Sequence, residues 1–95
     1  MPGGTAGPPE LQVFWTSLAQ RDREYWQRRD RRVLRRIDKL VVDILAHPFS
    51  GIGKPEPLRY EWTGYWSRRI TAEHRLVYRV EADMVFIAQC RFHYD

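Results

Sequence analysis

With 95 residues, the chain is long enough for one domain with a modest core and too short for two. Its 43% hydrophobic and 29% charged residues are a globular balance, and the longest unbroken apolar run, residues 84–88, is far too short to span a bilayer. Sixteen Lys and Arg against twelve Asp and Glu leave a net charge of +4, which points to a polyanionic partner such as RNA or DNA, or else to a plain solvated basic surface.

Residues 1–10 read MPGGTAGPPE, with three Gly, three Pro and almost nothing to bury, so a flexible tail is expected ahead of a domain at 11–95. No charged-then-apolar leader stands in this stretch, which predicts a cytoplasmic protein. The run LQVFW at 11–15 suits a first strand. Thr16 or Ser17 can then cap a helix reaching about Arg28, with Leu18, Tyr25 and Trp26 at broadly helical spacing.

The strongest helical signal comes next. Val33, Leu34, Ile37, Leu40, Val41, Ile44 and Leu45 form one apolar stripe at the 3.6-residue period. Asp30 is a natural N-cap, and His47-Pro48 ends the helix because proline disfavours α geometry in the residue before it. Between Arg21 and Lys39 stand nine cations and four acids, so the outer face of this helical pair is basic.

Two Gly and two Pro make residues 49–57 (FSGIGKPEP) a loop. Beyond it the period changes to two, and residues 58–62, 65–70, 74–81 and 84–91 read as four strands joined by short turns. In the third of these, Leu76, Tyr78 and Val80 face one way and Arg75, Val77 and Arg79 the other. The fold class is therefore α+β. Two helices from the N-terminal half pack on one face of a twisted, mainly antiparallel sheet of about five strands, and the other face carries arginine.

The same parity argument separates two neighbouring arginines. Arg68 lies with the core-like Trp66 and Ile70, whereas Arg69 shares a face with Tyr65 and Ser67, so Arg69 is the better phosphate ligand. Cys90 has the parity of Phe86 and Ala88 and reads as a buried core thiol; being the lone cysteine, it cannot form an internal disulfide. No metal site is expected, because the spacing of Cys90 and His93 has no second close pair to complete it. Gly51 and Gly53 are not a phosphate-binding P-loop, since no Gly-Lys-Ser/Thr comes after them.

Four stretches are distinctive together: YWQ at 25–27, PFSGIGKPEPL at 48–58, GYWSRRITAEHRLVY at 64–78 and CRFHY at 90–94. On these the sequence resembles the YoeB (Txe) family of bacterial toxins within the RelE-like endoribonucleases. The resemblance implies a RelE-like fold and a toxin that cuts translated mRNA in the ribosomal A site. It further implies control by a cognate YefM/Phd-type antitoxin, operator DNA reached only through that complex, an allowed homodimer, and no cofactor or membrane. By the family's motifs the catalytic residues are Glu56, Arg75 and His93, with Tyr94 orienting or stacking on RNA.

The residue chemistry fits that assignment. Cutting RNA through its 2′-hydroxyl needs a base, an acid for the leaving 5′-oxygen, and a cation at the phosphate. Glu56, His93 and Arg75 are those three types, and Lys54, Arg59, Arg69 and Arg91 are candidate RNA contacts. Taken singly each has a plainer reading. Glu56 could be a solvated loop residue, Arg75 an ion-pair partner of Glu73 or Glu81, and His93 part of a frayed end. Two other functions use the same basic face: a non-catalytic RNA or ribosome binder, and a module that only receives an acidic antitoxin segment.

Overall fold

The computed structural model describes residues 10–92. The expected tail, apart from Glu10, therefore lies outside the described residues, as do His93, Tyr94 and Asp95.

Strand β1 (Gln12–Trp15) leads into helix α1 (Ser17–Arg29), and α2 (Arg31–Ala46) begins at once. Of the two candidate caps for α1, Thr16 is the one used, its hydroxyl accepting the Ala19 N–H at 3.1 Å. The same hydroxyl donates to the Ala88 carbonyl at 3.0 Å, so one side chain caps the helix and ties it to the sheet. Asp30 serves both helices. Its backbone N–H closes α1 on the Trp26 carbonyl, and its carboxylate accepts from Arg32 and Val33 to open α2. His47 ends α2 before Pro48, as the proline requires.

The sheet continues with β2 (Glu56–Pro57), β3 (Trp66–Arg69), β4 (Arg75–Glu81) and β5 (Met84–Gln89), in the order β1-β5-β4-β3-β2. β2 to β5 form an antiparallel meander, and β1 inserts parallel to β5 at the far edge. Ile37, Leu40 and Ile44 of the α2 stripe are wholly buried against Leu76, Tyr78, Val85 and Ile87 of the sheet. Each such side chain contributes about 1.5–3 kcal/mol when fully buried. Val33, Leu34 and Leu45 pack around the rim of that core.

One expected strand is absent and one expected loop is ordered differently. Residues 58–62 do not form a strand, and the edge strand is Glu56–Pro57, inside what reads as loop. Pro57 lacks an N–H, which an edge strand tolerates. The pairing survives to Leu58, whose N–H donates to the Tyr65 carbonyl at 2.9 Å. Then Tyr60, 83% exposed and at φ +60°, turns the chain into a 3-10 helix, Tyr60–Trp62. Leu58 is buried, but Arg59, Tyr60 and Glu61 after it are all exposed, so side-chain alternation stops there and cannot hold an extended conformation. β5 also ends at Gln89 rather than at Arg91, because the Cys90 N–H is taken by Asp22 of α1.

Candidate active site and RNA-binding face

Arg68 shows how the site's loop is held. Its side chain is entirely buried, with Nη1 at 2.5 Å from Asp43 Oδ2 and 3.1 Å from the Ile52 carbonyl. Nη2 donates to the His47 and Ser50 carbonyls at 2.5 and 2.8 Å, and Nε to the Tyr78 hydroxyl at 3.2 Å. The Tyr78 hydroxyl in turn donates to the Pro48 carbonyl. One guanidinium thus satisfies the carbonyls of a loop with no regular structure, work suited to its five fixed donors. Asp43 also accepts the Ile52 N–H, and the Arg68 guanidinium beside it holds its carboxyl below the usual carboxylate range. Gly51, at φ +116°, lies so close that a Cβ would run into that carboxylate.

The loop delivers Glu56 to β2. There register sets it opposite Ser67, which faces Val77, which faces Gln89, so these side chains share the sheet face turned away from the helices. In the next row Arg69 stands directly opposite Arg75. Two like charges in a cross-strand pair are destabilising by themselves. Glu56 is exposed, two strand spacings from Arg75, about 9.6 Å sideways. An open cleft of about 550 Å³ runs along residues 56–62 and brings Arg59 and Tyr60 beside Glu56.

Arg75 is half-buried and pairs with neither Glu73 nor Glu81. Its Nη1 donates instead to the carbonyls of Thr71, Ala72 and His74, which fixes the guanidinium at the start of β4 without neutralising it. Glu81 is taken by Arg79, whose guanidinium also lies 4.6 Å from the Phe86 ring. Lys54 is exposed in the left-handed region at φ +53°, and Arg69, also exposed, bonds through its backbone N–H to Gly53. Arg91 sits elsewhere, its guanidinium 3.6 Å from the Tyr25 ring and 4.5 Å from that of Phe92. Glu56, Arg69 and Arg75 are therefore brought to one face of the sheet, Arg59 to the cleft beside Glu56, Lys54 to the loop before it, and Arg91 to the α1 side.

His93 and Tyr94 lie outside the described residues, but the chain leading to them is fixed. The Phe92 carbonyl accepts the Arg75 backbone N–H at 3.1 Å, so residue 92 ends beside the first residue of β4. Sequence reasoning missed the residues that hold it, namely Asp22, Trp26 and His74. The only signal was the i, i+4 spacing of Asp22 and Trp26, one face of α1. Cys90 is buried as expected but not by parity: Phe86 faces Arg79 on the arginine side, and Cys90, past the end of β5, lies against α1 instead, where burial pushes its thiol up to about 12, far from nucleophilic use. Among the described residues no three His, Cys, Asp or Glu side chains converge as a metal site would need.

Residues 15–94 match the family described as YoeB-like toxin of bacterial type II toxin-antitoxin system. The chain belongs to that family. It is 48% identical to Toxin YoeB of Escherichia coli K12 over 84 residues, which cover 88% of this chain and all of that one. The YoeB dimer of Staphylococcus aureus superposes with a TM-score of 0.83, and the heterotetrameric YoeB–YefM complex from the same organism with 0.81. Each is 40% identical, over 90% of this chain and the whole of the other. The YoeB-like assignment and the RelE-like α+β fold agree: two helices beside an open, five-stranded, mostly antiparallel sheet. No helix among the described residues is long and apolar enough to cross a membrane.

Proposed function

We propose that this YoeB-family toxin is a ribosome-dependent endoribonuclease that cleaves translated mRNA in the A site, in the cytoplasm, and so blocks protein synthesis. The observation that carries the reading is the Arg69–Arg75 cross-strand pair, lacking an acidic partner among the described residues, on the same sheet face as Glu56. These opposed guanidiniums, Arg69 exposed and Arg75 half-buried, would be relieved by a bound phosphate, and a carboxylate beside that phosphate has a proton to take.

In this mechanism Glu56 removes the proton of the 2′-hydroxyl, and that oxygen attacks the adjacent phosphorus. Arg75, anchored by three backbone carbonyls, stabilises the extra charge on the phosphoryl oxygens. His93 protonates the departing 5′-oxygen, with Tyr94 orienting it or stacking on a base. The products are a 2′,3′-cyclic phosphate and a 5′-hydroxyl, no metal or cofactor takes part, and DNA is spared. Lys54, Arg59, Arg69 and Arg91 contact phosphates of mRNA or ribosomal RNA.

The basic face also suits an acidic antitoxin of the YefM/Phd type that folds on binding, and operator DNA would be reached only through that complex. The YoeB–YefM heterotetramer and the YoeB dimer of S. aureus support a toxin–antitoxin pair and a homodimer for this chain too. The test is primer extension on a reporter mRNA in a purified translation system, with and without ribosomes. Cuts at stalled codons that need ribosomes and disappear in Glu56→Gln, Arg75→Ala and His93→Gln are expected. Translation blocked with the mRNA intact would replace the nuclease with a non-catalytic ribosome binder.

A further inference from the structure

The chain end is held at two points by side chains that take no part in the proposed chemistry. At the first, Asp22 Oδ2 accepts the Cys90 N–H at 3.0 Å, and Trp26 Nε1 donates to the Cys90 carbonyl at 2.9 Å. Both are contacts from α1 in the buried interior. At the second, His74 Nδ1 accepts the Phe92 N–H at 2.7 Å, while the Arg75 N–H donates to the Phe92 carbonyl at 3.1 Å. Both polar backbone groups of Cys90 and both of Phe92 are thereby satisfied from outside their own strand.

Phe92 needs such a hold. Its φ is +65°, in the left-handed region that bulky side chains enter only when their surroundings compel it. The residue is 57% exposed, and its ring meets only the Arg91 guanidinium at 4.5 Å and the His74 ring at 5.5 Å between centroids among the described residues. Two hydrogen bonds hold its backbone, and only one of them comes from a side chain, that of His74, whose ring also packs on the Phe92 ring. For Nδ1 to accept, the His74 ring must carry its proton on Nε2. The ring plane is set by the edge of Trp26, 4.7 Å between centroids at 80°, and the His74 N–H donates to Thr71 Oγ1 at 3.1 Å. His74 is thus itself fixed before it fixes Phe92.

We infer that His74 is a positioning residue. By holding Phe92 in its left-handed turn it fixes the backbone from which His93 departs, next to Arg75. The inference rests on the proposed nuclease role of His93. Asp22 and Trp26 anchor the segment in the core, whereas His74 holds the N–H of Phe92, the residue immediately before the general acid.

The experiment compares wild type, His74→Ala and His74→Asn. Asparagine places an acceptor oxygen two bonds from Cβ, where Nδ1 stands, but lacks the ring. Single-turnover mRNA cleavage on stalled ribosomes is measured across toxin concentrations, with hydrogen exchange of the Phe92 amide in the free toxin as a second readout. At saturating toxin, His74→Ala is expected to cut about 10²-fold more slowly, the usual result of a small misplacement of a catalytic group. The half-saturating concentration stays put, and His74→Asn regains most of the rate together with Phe92 protection. Wild-type cutting by His74→Ala, a loss confined to half-saturation, or equal slowness of both variants would overturn the inference. If wild type itself leaves mRNA intact, the nuclease reading falls and exchange alone decides. Protection lost in His74→Ala and restored in His74→Asn keeps the clasp, and equal exchange in all three removes it.

Discussion

Arg68 and Arg69 are neighbours with the same side chain and opposite fates. Arg68 is wholly buried, with donors spent on one carboxylate, one hydroxyl and three loop carbonyls. Arg69 is exposed, opposite another arginine. A one-residue step along a strand reverses the face, so one guanidinium becomes part of the scaffold and the next is left exposed without an ion pair. The helix side of the sheet builds the loop that carries Lys54 and Glu56. The other side presents Arg69 and Arg75, which make no ion pair among the described residues.

The sharpest way to break this contrast is to remove Arg68. Arg68→Met deletes the donors for three buried or half-buried carbonyls and leaves Asp43 without its ion-pair partner. A loss of about 3 kcal/mol in unfolding free energy is expected from urea denaturation, about 1 kcal/mol for each loop carbonyl left without its donor. Arg75→Ala should do the reverse. Its stability cost is about 1 kcal/mol, since only turn carbonyls lose a donor. Cleavage should instead fall by about 10²–10³-fold, the effect of losing one group that stabilises transition-state charge. Equal stability losses for the two variants would erase the distinction between the faces.

Much of this arrangement is legible in the sequence because it depends on periodicity. The α2 stripe, the Asp30 and Thr16 caps and the parity of Arg68 against Arg69 depend on spacing within one element, and the structure has them all. The 56–62 edge is not legible in that way. β2 is two residues long and contains proline, and Tyr60 adopts a positive φ that no local pattern announces. Nor could spacing reveal the hold on Cys90 and Phe92, which joins residues up to 68 positions apart. Tertiary packing decides those contacts, so Asp22 reads in sequence as one more helix-surface acid, although it is buried, and that burial raises its carboxyl above the ordinary range. Of the candidate site, the family motifs single out Glu56 and Arg75 for their proposed roles; only the register shows that they share a face.

A smaller effect comes from pH. The Arg68 bond holds Asp43 below its ordinary carboxylate range, so its ionised form binds in the folded state and the unfolded chain takes up the proton first. The stabilisation is therefore complete above the unfolded value, about 3.9, and is lost as pH falls through the lower folded value. Wild type should lose stability on acidification below about pH 4 more steeply than Asp43→Asn, with the two curves converging at the acid end. Parallel curves would show that Arg68 is held by the loop carbonyls and gains nothing from the charge of Asp43.

The mildest test addresses Arg69 alone. Its guanidinium is exposed, and its backbone N–H, which any residue but proline retains, makes the bond to Gly53. Arg69→Gln should therefore leave the unfolding free energy within about 0.5 kcal/mol of wild type, as for other surface changes. If this arginine meets a phosphate, binding to single-stranded RNA should weaken, and the slope of log affinity against log salt should fall by about 0.7, one released counterion. The decisive comparison is the double variant with Arg75→Ala. Two cations sharing one phosphate should be non-additive, because either alone removes much of the anion's hold. Additive losses would mean that the opposed pair serves two separate phosphates, and the Arg69–Arg75 row would then be a track along the RNA backbone instead of a single anion site.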